Sequence, residues 1–329
     1  MKKSMLILGL TSTLLTGCLL TGCGNNSASA DDQVVLYTNA DDEAVVAMEN
    51  ALDANGYKDK YIVQVFGTSE LGGKLLAEGA ESEADLITMS SFYVESAEAE
   101  HPMFQDLTFD TGALADYPAY YSPITAQEGA IIYNTEAVKE NNLPVPTSIK
   151  DLADPVYKDM ISVTDIQSSS TAWLLIQALI SEYGEDGAAE ILKGIYQNAG
   201  AHIEDSGSGP IKKVRAGEVA IGFGLRHQAV ADKAEGLPID YVDPAEGNFT
   251  LTESVAVIDK GDATNPEAIK MAECIVKNAR AELLQTYPIA LYDGETVEDI
   301  NKSGNPKTFK EKLTVDLLKK HQAISEASK

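Results

Sequence analysis

The chain has 329 residues, with 25 Lys and Arg against 51 Asp and Glu, for a formal net charge of −26 at pH 7. An apolar content of 44% is enough to pack one large domain or two smaller ones, which excludes a disordered or fibrous polymer. A field of this sign repels phosphate polymers, so no nucleic acid and no anionic membrane surface is expected as a partner; the charge of a small ligand stays open, because a pocket can be locally positive in an acidic protein.

In chain order, Met1-Lys2-Lys3 is a basic start and residues 4–20 form an uncharged, largely apolar run. Its small-residue end and modest length read as a secretory signal segment over 1–23, not a spanning helix. Leu15-Thr16-Gly17-Cys18 and Leu20-Thr21-Gly22-Cys23 both resemble the lipobox of bacterial lipoproteins, in which the Cys thiol receives diacylglycerol. Cys23 is the expected lipidation site and Cys18 the alternative, with residues 24–32 a flexible tether. Cys274 is then left alone in a helical pattern, so no structural disulfide is expected.

From Val34 onward, short apolar strands alternate with longer helical patterns, the mark of an α/β fold with mainly parallel sheets. Strands are predicted at 34–37, 61–66, 84–89, 130–134, 161–164, 219–223 and 254–258. Helices are predicted at 42–55, after 67–69 as far as 78, at 171–183, 187–196, 266–286 and 308–328. Two lobes with a ligand cleft between them are the economical arrangement: 33–119 as the first part of lobe 1, 120–248 as lobe 2, and 249–329 as the return to lobe 1 with the C-terminal helices.

Four segments share one design, small hydroxylated residues ahead of a helix: Thr38-Asn39-Ala40-Asp41, Gly67-Thr68-Ser69-Glu70, Ser168-Ser169-Ser170-Thr171 and Ser206-Gly207-Ser208-Gly209-Pro210. Helix starts expose unpaired amides and a partial positive charge, so several aimed at one point make an anion site, although each alone is also an ordinary cap. Ser90, at the end of the third strand, is a fifth contributor. Arg226 and His227 follow Gly222-Phe223-Gly224 and offer bidentate and single donors to an oxyanion, unless they are solvated surface residues. Trp173 reads as core. Tyr120 and Tyr121 are either hinge packing or cleft wall. An enzyme lacks its parts here: no GxSxG elbow occurs, Lys74 is followed by Leu75 and breaks the phosphate-loop spacing, and no two acids are placed at working distance. No catalytic residue, no metal ligand and no cofactor is expected.

Val35-Leu36-Tyr37 with Glu43-Ala44, Leu71 to Gly79 with Ala84-Asp85-Leu86, Ile132-Tyr133-Asn134-Thr135, the 151–158 run Asp-Leu-Ala-Asp-Pro-Val-Tyr-Lys, Ser206 to Gly224 and Pro244-Ala245-Glu246-Gly247 resemble the extracellular solute-binding proteins of bacterial ABC importers. The resemblance covers most of residues 33–285 and is to the type II group of ferric-iron, hexose-phosphate and 2-aminoethylphosphonate binders. It implies a two-lobed type II periplasmic-binding-protein-like fold. It also implies an extracytoplasmic monomer, attached to the cell membrane through its lipid anchor only, that delivers a small anionic solute to an ABC permease and its ATPase subunits. The ferric branch supplies a His, a Glu and a Tyr pair at places that here hold Asp41, Ser90 and the stretch 225–228, so ferric iron is the alternative ligand and a phosphonate or phosphate ester the favoured one. A phosphate-ester-processing enzyme is the alternative from another class. The expected oxyanion contacts are Thr38, Asn39, Thr68, Ser69, Ser90, Ser169, Ser170, Ser208, Arg226 and His227. Asp41 and Glu246 are expected to take an ammonium or a hydroxyl at the far end.

Overall fold

The computed structural model describes residues 33–329; the signal segment, Cys18, Cys23 and the tether lie outside them. The first half is built from β1 (Val34–Thr38), α1 (Asp42–Leu52), β2 (Tyr61–Val65), α2 (Thr68–Glu78), β3 (Leu86–Ser90) and α3 (Ser91–Glu100). Strands β2 and β3 flank β1 in parallel. Every residue of β3 is buried, as expected of a strand covered on both faces. Helix α1 buries Ala44, Ala47, Met48, Ala51 and Leu52, one stripe of a 3.6-residue period.

A two-residue strand, β4 (Phe104–Gln105), precedes the 14-residue β5 (Tyr121–Asn134) and α4 (Thr135–Glu140). The second half follows as β6 (Ile161–Thr164), α5 (Thr171–Ala199), β7 (Ile203–Glu204), α6 (Gly209–Ala216), β8 (Ile221–Leu225), α7 (Arg226–Ala234) and β9 (Ile239–Val242). Then β10 (Asn248–Ile258) returns the chain to α8 (Pro266–Cys274), α9 (Arg280–Thr286), β11 (Pro306–Lys307) and α10 (Val315–Ser328).

The strand order β2-β1-β3-β10-β5-β8-β6-β7 puts two long antiparallel strands between two parallel sets. Strand β5 pairs with β10 through residues 121–128 and with β8 through Gly129–Tyr133, so it passes from one half to the other within its own length. The fold is therefore two-lobed α/β. Sequence reading finds only 130–134 and 254–258 of these strands, because Pro123 looks like a break. In the structure Pro123 adjoins a bulge: Ser254 opposes Pro123, Glu253 opposes Thr125, and Ile124 is left over. A bulge accommodates proline and bends the strand, here at the floor of the space between the lobes.

One apolar core lies within lobe 1, where Leu36, Val255 and Val257 meet Met48, Met271 and Leu283. Another runs from Leu71 and Ile87 through Phe92 to Trp173 and Phe223, with the Phe92 and Trp173 rings edge to face at 5.0 Å. Each such side chain, when buried, contributes about 1.5 to 3 kcal/mol. Trp173 is core, as its helical pattern implies, and its indole N–H donates to His321 Nδ1 at 2.7 Å. Tyr121 donates to Glu95 and packs with Tyr117 and Tyr120, away from the interlobe space.

The two helices expected at 171–183 and 187–196 are the two parts of α5, which breaks between them at Gly184, whose φ of +71° suits glycine. One helical expectation needs correction. The last helix starts at Val315, not at 308, because Phe309 is drawn aside onto Trp173 and Phe249 and Thr314 then caps the helix.

Candidate functional site

Between the lobes lies a cleft of about 320 Å³. All four hydroxylated helix starts reach it: Asn39 and Asp41 before α1, Thr68 at α2, Ser168 to Thr171 at α5, and Ser206 to Ser208 at α6. The first two come from lobe 1 and the last two from lobe 2. They converge because each follows a strand, or a turn beside one, and strand ends within a parallel set point the same way.

Capping separates these starts from ordinary ones. Asn134, Asn265 and Thr314 accept backbone N–H bonds and cap α4, α8 and α10. Asp41, Ser170 and Ser208 are equally able to cap, yet none of their side chains does so for α1, α5 or α6. Among the first-turn amides, Thr171 N–H reaches the Ser169 hydroxyl at 3.4 Å and the Ala172, Trp173 and Gly209 N–H groups reach backbone carbonyls, so what these starts keep open among the described residues includes the Asp42 and Glu43 amides of α1 and the N-cap side chains themselves. Helices α3, α7 and α9 also lack side-chain caps, but Leu225 and Ala279 cannot cap, and the Ser90 hydroxyl is spent on Glu253.

Several expected residues stand one layer behind. Thr38 is buried, accepting the Ala40 N–H at 3.0 Å and the Thr88 hydroxyl at 2.6 Å. Ser69 lies beside the Tyr93 phenol and eases the rise that burial imposes on its pKa. Ser90, fully buried, donates to Glu253 Oε1 at 2.7 Å and lies 3.4 Å from the Ser170 hydroxyl, linking the lobes behind the cleft.

Three expected residues are elsewhere. Arg226 is 4% exposed, forks onto Asp243 at 2.7 and 3.3 Å and donates to the carbonyls of Ile300, Asn301 and Lys302. Its donors are consumed by the chain, so it offers none to a solute. Glu246 is also buried. It accepts the Ile149 and Lys150 amides at 2.8 and 3.0 Å and the Tyr183 hydroxyl at 3.2 Å, a turn-stapling role far from an ammonium. His227 packs on the Tyr287 ring at 4.7 Å, and burial pushes its pKa down to about 3, so it is neutral behind the wall that Tyr287 forms.

Apart from Asp41, the charged groups that line the cleft went unread in the sequence. Glu253 projects from β10 beside the bulge and is 8% exposed. With the Asn39 amide oriented by its neighbours, its nitrogen donates to Glu253 Oε2 at 3.0 Å and to the Thr88 carbonyl at 3.2 Å, while its oxygen accepts from Thr68 at 2.9 Å. Burial raises Glu253 to about 7, eased by Ser90 and Asn39 and reinforced by Asp41. Burial, then Glu43, raises Asp41 to about 6, with Lys212 pulling the other way. From lobe 2 come Lys212, which has no ion-pair partner among the described residues, and Arg215, held bidentate by Asp232 at 2.7 and 2.8 Å. Glu253 left one sequence signal, a lone acid just ahead of an apolar strand.

The cleft is thus bipolar. Acids Asp41, Asp42, Glu43 and Glu253 lie on the lobe 1 side. The serine-rich starts of α5 and α6, with Lys212 and one acid, Asp205, which accepts the Ser168 hydroxyl at 2.9 Å, lie opposite.

A fold of two α/β lobes hinged on crossing strands, with polar helix starts converging between them, defines a small-solute binding protein. The chain belongs to the bacterial extracellular solute-binding protein family, whose model matches residues 91–307. It is 28% identical over 235 residues to the Fe(3+)-binding periplasmic protein of Serratia marcescens, covering 68% of this chain and 65% of that one. Among solved structures, a periplasmic thiamin binding protein superposes with a TM-score of 0.74 at 16% identity, over 90% of this chain and 95% of that one. The periplasmic binding protein AfuA from Actinobacillus pleuropneumoniae, with fructose-6-phosphate bound, superposes with a TM-score of 0.69 at 22% identity, over 89% and 94%. At these identities the structural likeness is one of fold. Among the described residues no helix is long and apolar enough to cross a membrane.

Proposed function

We propose that this protein captures a small solute carrying a phosphonate or phosphate-ester group and delivers it to an ABC permease and its ATPase subunits. In this reading 2-aminoethylphosphonate leads and a sugar phosphate follows. The observation that carries the reading is the convergence of four polar helix starts in one cleft, where the Asp41, Ser170 and Ser208 side chains make no cap hydrogen bond. Amides and hydroxyls satisfy an oxyanion without adding a fixed charge, and Lys212 supplies the one free cation among the described cleft residues. The acids of lobe 1 face the other end of the solute.

Ligand contacts on both lobes favour the closed arrangement, so capture is a population shift about the crossing strands. We place the lobe boundary inside those strands, at residues 128–129 of β5 and 252–253 of β10, where pairing changes partner. Lipidation at Cys23 keeps the monomer at the outer face of the cell membrane, beside its permease.

The ferric reading has less support. Tyr287 is the one tyrosine lining the cleft among the described residues, and burial together with Asp41, Glu43 and Glu253 pushes it away from the tyrosinate form. We read the protein as a carrier and not as an enzyme.

Calorimetric or thermal-shift titration against 2-aminoethylphosphonate, a hexose phosphate, inorganic phosphate and ferric salts tests this. A hundredfold excess over Kd stabilises the fold by about 2.7 kcal/mol, which is easily measured. Stabilisation by a phosphonate or phosphate ester, with the solute recovered intact, is expected. Stabilisation by ferric salts alone would overturn the oxyanion reading, and turnover of a bound ester would overturn the carrier reading.

A further inference from the structure

We propose that Glu253 determines specificity in this cleft: it selects solutes with a cationic nitrogen, and it releases a proton to solvent when that nitrogen binds. The inference deepens the oxyanion reading and rests on it for the other end of the solute.

The geometry is that of a buried acid lacking a counter-ion. Glu253 sits on the crossing strand β10, beside the bulge at Ile124, and lines the cleft floor. Its two carboxylate oxygens are held by neutral donors, the Ser90 hydroxyl at 2.7 Å and the Asn39 amide at 3.0 Å, one on each oxygen. No Lys, Arg or His lies within ion-pair distance of it among the described residues. A buried carboxylate without a cation is costly, so in the empty cleft the group holds its proton or waits for a positive charge.

A second orphan lines the same cleft. Gln228 lines the same cavity, is buried, and its side-chain oxygen receives no hydrogen bond. An unpaired acceptor and an uncompensated acid lining one cavity call for a ligand that donates, and an ammonium group supplies both donors and the missing charge.

The surrounding charges set the direction. Asp41, Asp42 and Glu43 face the cleft from the start of α1, Asp205 from the segment before α6 and the neutral Tyr287 from the segment after α9; of these, Asp41 disfavours the Glu253 carboxylate. Lys212 and Arg215 approach from α6, but Arg215 is held by Asp232 and Lys212 acts on Asp41. These neighbours and burial leave Glu253 titrating near pH 7. The exchange balances simply: a solute ammonium docks, the Glu253 O–H bond breaks, the proton goes to solvent, and the carboxylate is left paired with the ammonium.

The test uses 2-aminoethylphosphonate and ethylphosphonate, which share the oxyanion and differ in the nitrogen. Isothermal calorimetry at about pH 6 in buffers of different ionisation enthalpy counts protons released. With the wild-type protein, the aminophosphonate should release more protons than ethylphosphonate and bind at least tenfold more tightly, the advantage growing as pH rises through about 7. E253Q should abolish both the extra protons and the preference for the aminophosphonate over ethylphosphonate. Equal affinity of the wild-type protein for the two phosphonates across that pH range needs no variant and overturns the proposal, as does an unchanged proton count in a folded E253Q. If neither phosphonate binds, putrescine decides: binding weakened tenfold by E253Q supports the role of Glu253 while the oxyanion reading fails, and no binding overturns both.

Discussion

At the residue scale, burying an acid is worthwhile only if something repays the lost hydration, and Glu253 and Arg226 meet this requirement in opposite ways. Arg226 is fully answered within the fold by Asp243 and three carbonyls, which tie α7 to the segment before β11 and to the start of β10. Removing it strands a partly buried Asp243, so Arg226→Ala should cost about 3 to 5 kcal/mol of stability in chemical denaturation. Arg226→Lys should recover only part of that, since an ammonium cannot fork. A loss of solute affinity with unchanged stability would instead return Arg226 to the cleft. Glu253 is not answered within the fold. Its native pKa lies above the ordinary 4.5, so the folded chain keeps a proton that the unfolded chain gives up. Its stabilising contribution is complete below about pH 4.5 and is lost as pH rises through about 7. Between pH 5 and pH 8 the empty wild-type protein should therefore lose about 1 to 3 kcal/mol relative to Glu253→Gln, measured as the difference between their unfolding free energies. Parallel curves would show that Glu253 is already paired.

At the element scale, the helix starts divide into those that serve the fold and those that face the cleft. Asn265→Ala or Thr314→Ala removes a working cap and should cost about 1 kcal/mol of stability, with no change in solute affinity. Ser170→Ala with Ser208→Ala removes no cap. This pair should leave the melting temperature nearly unchanged while weakening phosphonate binding about tenfold or more, at about 1 kcal/mol per hydroxyl. The reverse pattern, lost stability with intact binding, would make these serines ordinary caps. The four starts were legible in the sequence because a run of Ser, Thr, Gly and Pro at a strand-to-helix junction is a local signal. Arg226 and Glu246 were misplaced for a related reason. A loop Arg reads the same whether its fork meets a solute or an Asp243 that is 17 residues away in sequence, together with carbonyls more than 70 residues on. The crossing strands were half read because Pro123 masks the continuity that a bulge restores.

At the scale of the whole molecule, the charge of −26 and the cleft obey different constraints. The acid surplus keeps anionic polymers away, whereas the cleft places amides, hydroxyls and Lys212 opposite a wall of carboxylates. The α/β class and the two lobes follow from alternating strands and helices, and a bipolar cleft becomes visible only when β10 delivers Glu253 between them. The central claim is that the uncapped starts of α5 and α6, with those of α1 and α2, hold an oxyanion. It is tested most directly by following the ³¹P resonance of 2-aminoethylphosphonate as protein is added. The account predicts a bound resonance that saturates at one phosphonate per chain and is largely lost in the Ser170→Ala, Ser208→Ala double variant. A resonance unmoved by stoichiometric protein, or a bound resonance indifferent to that double substitution, would contradict it.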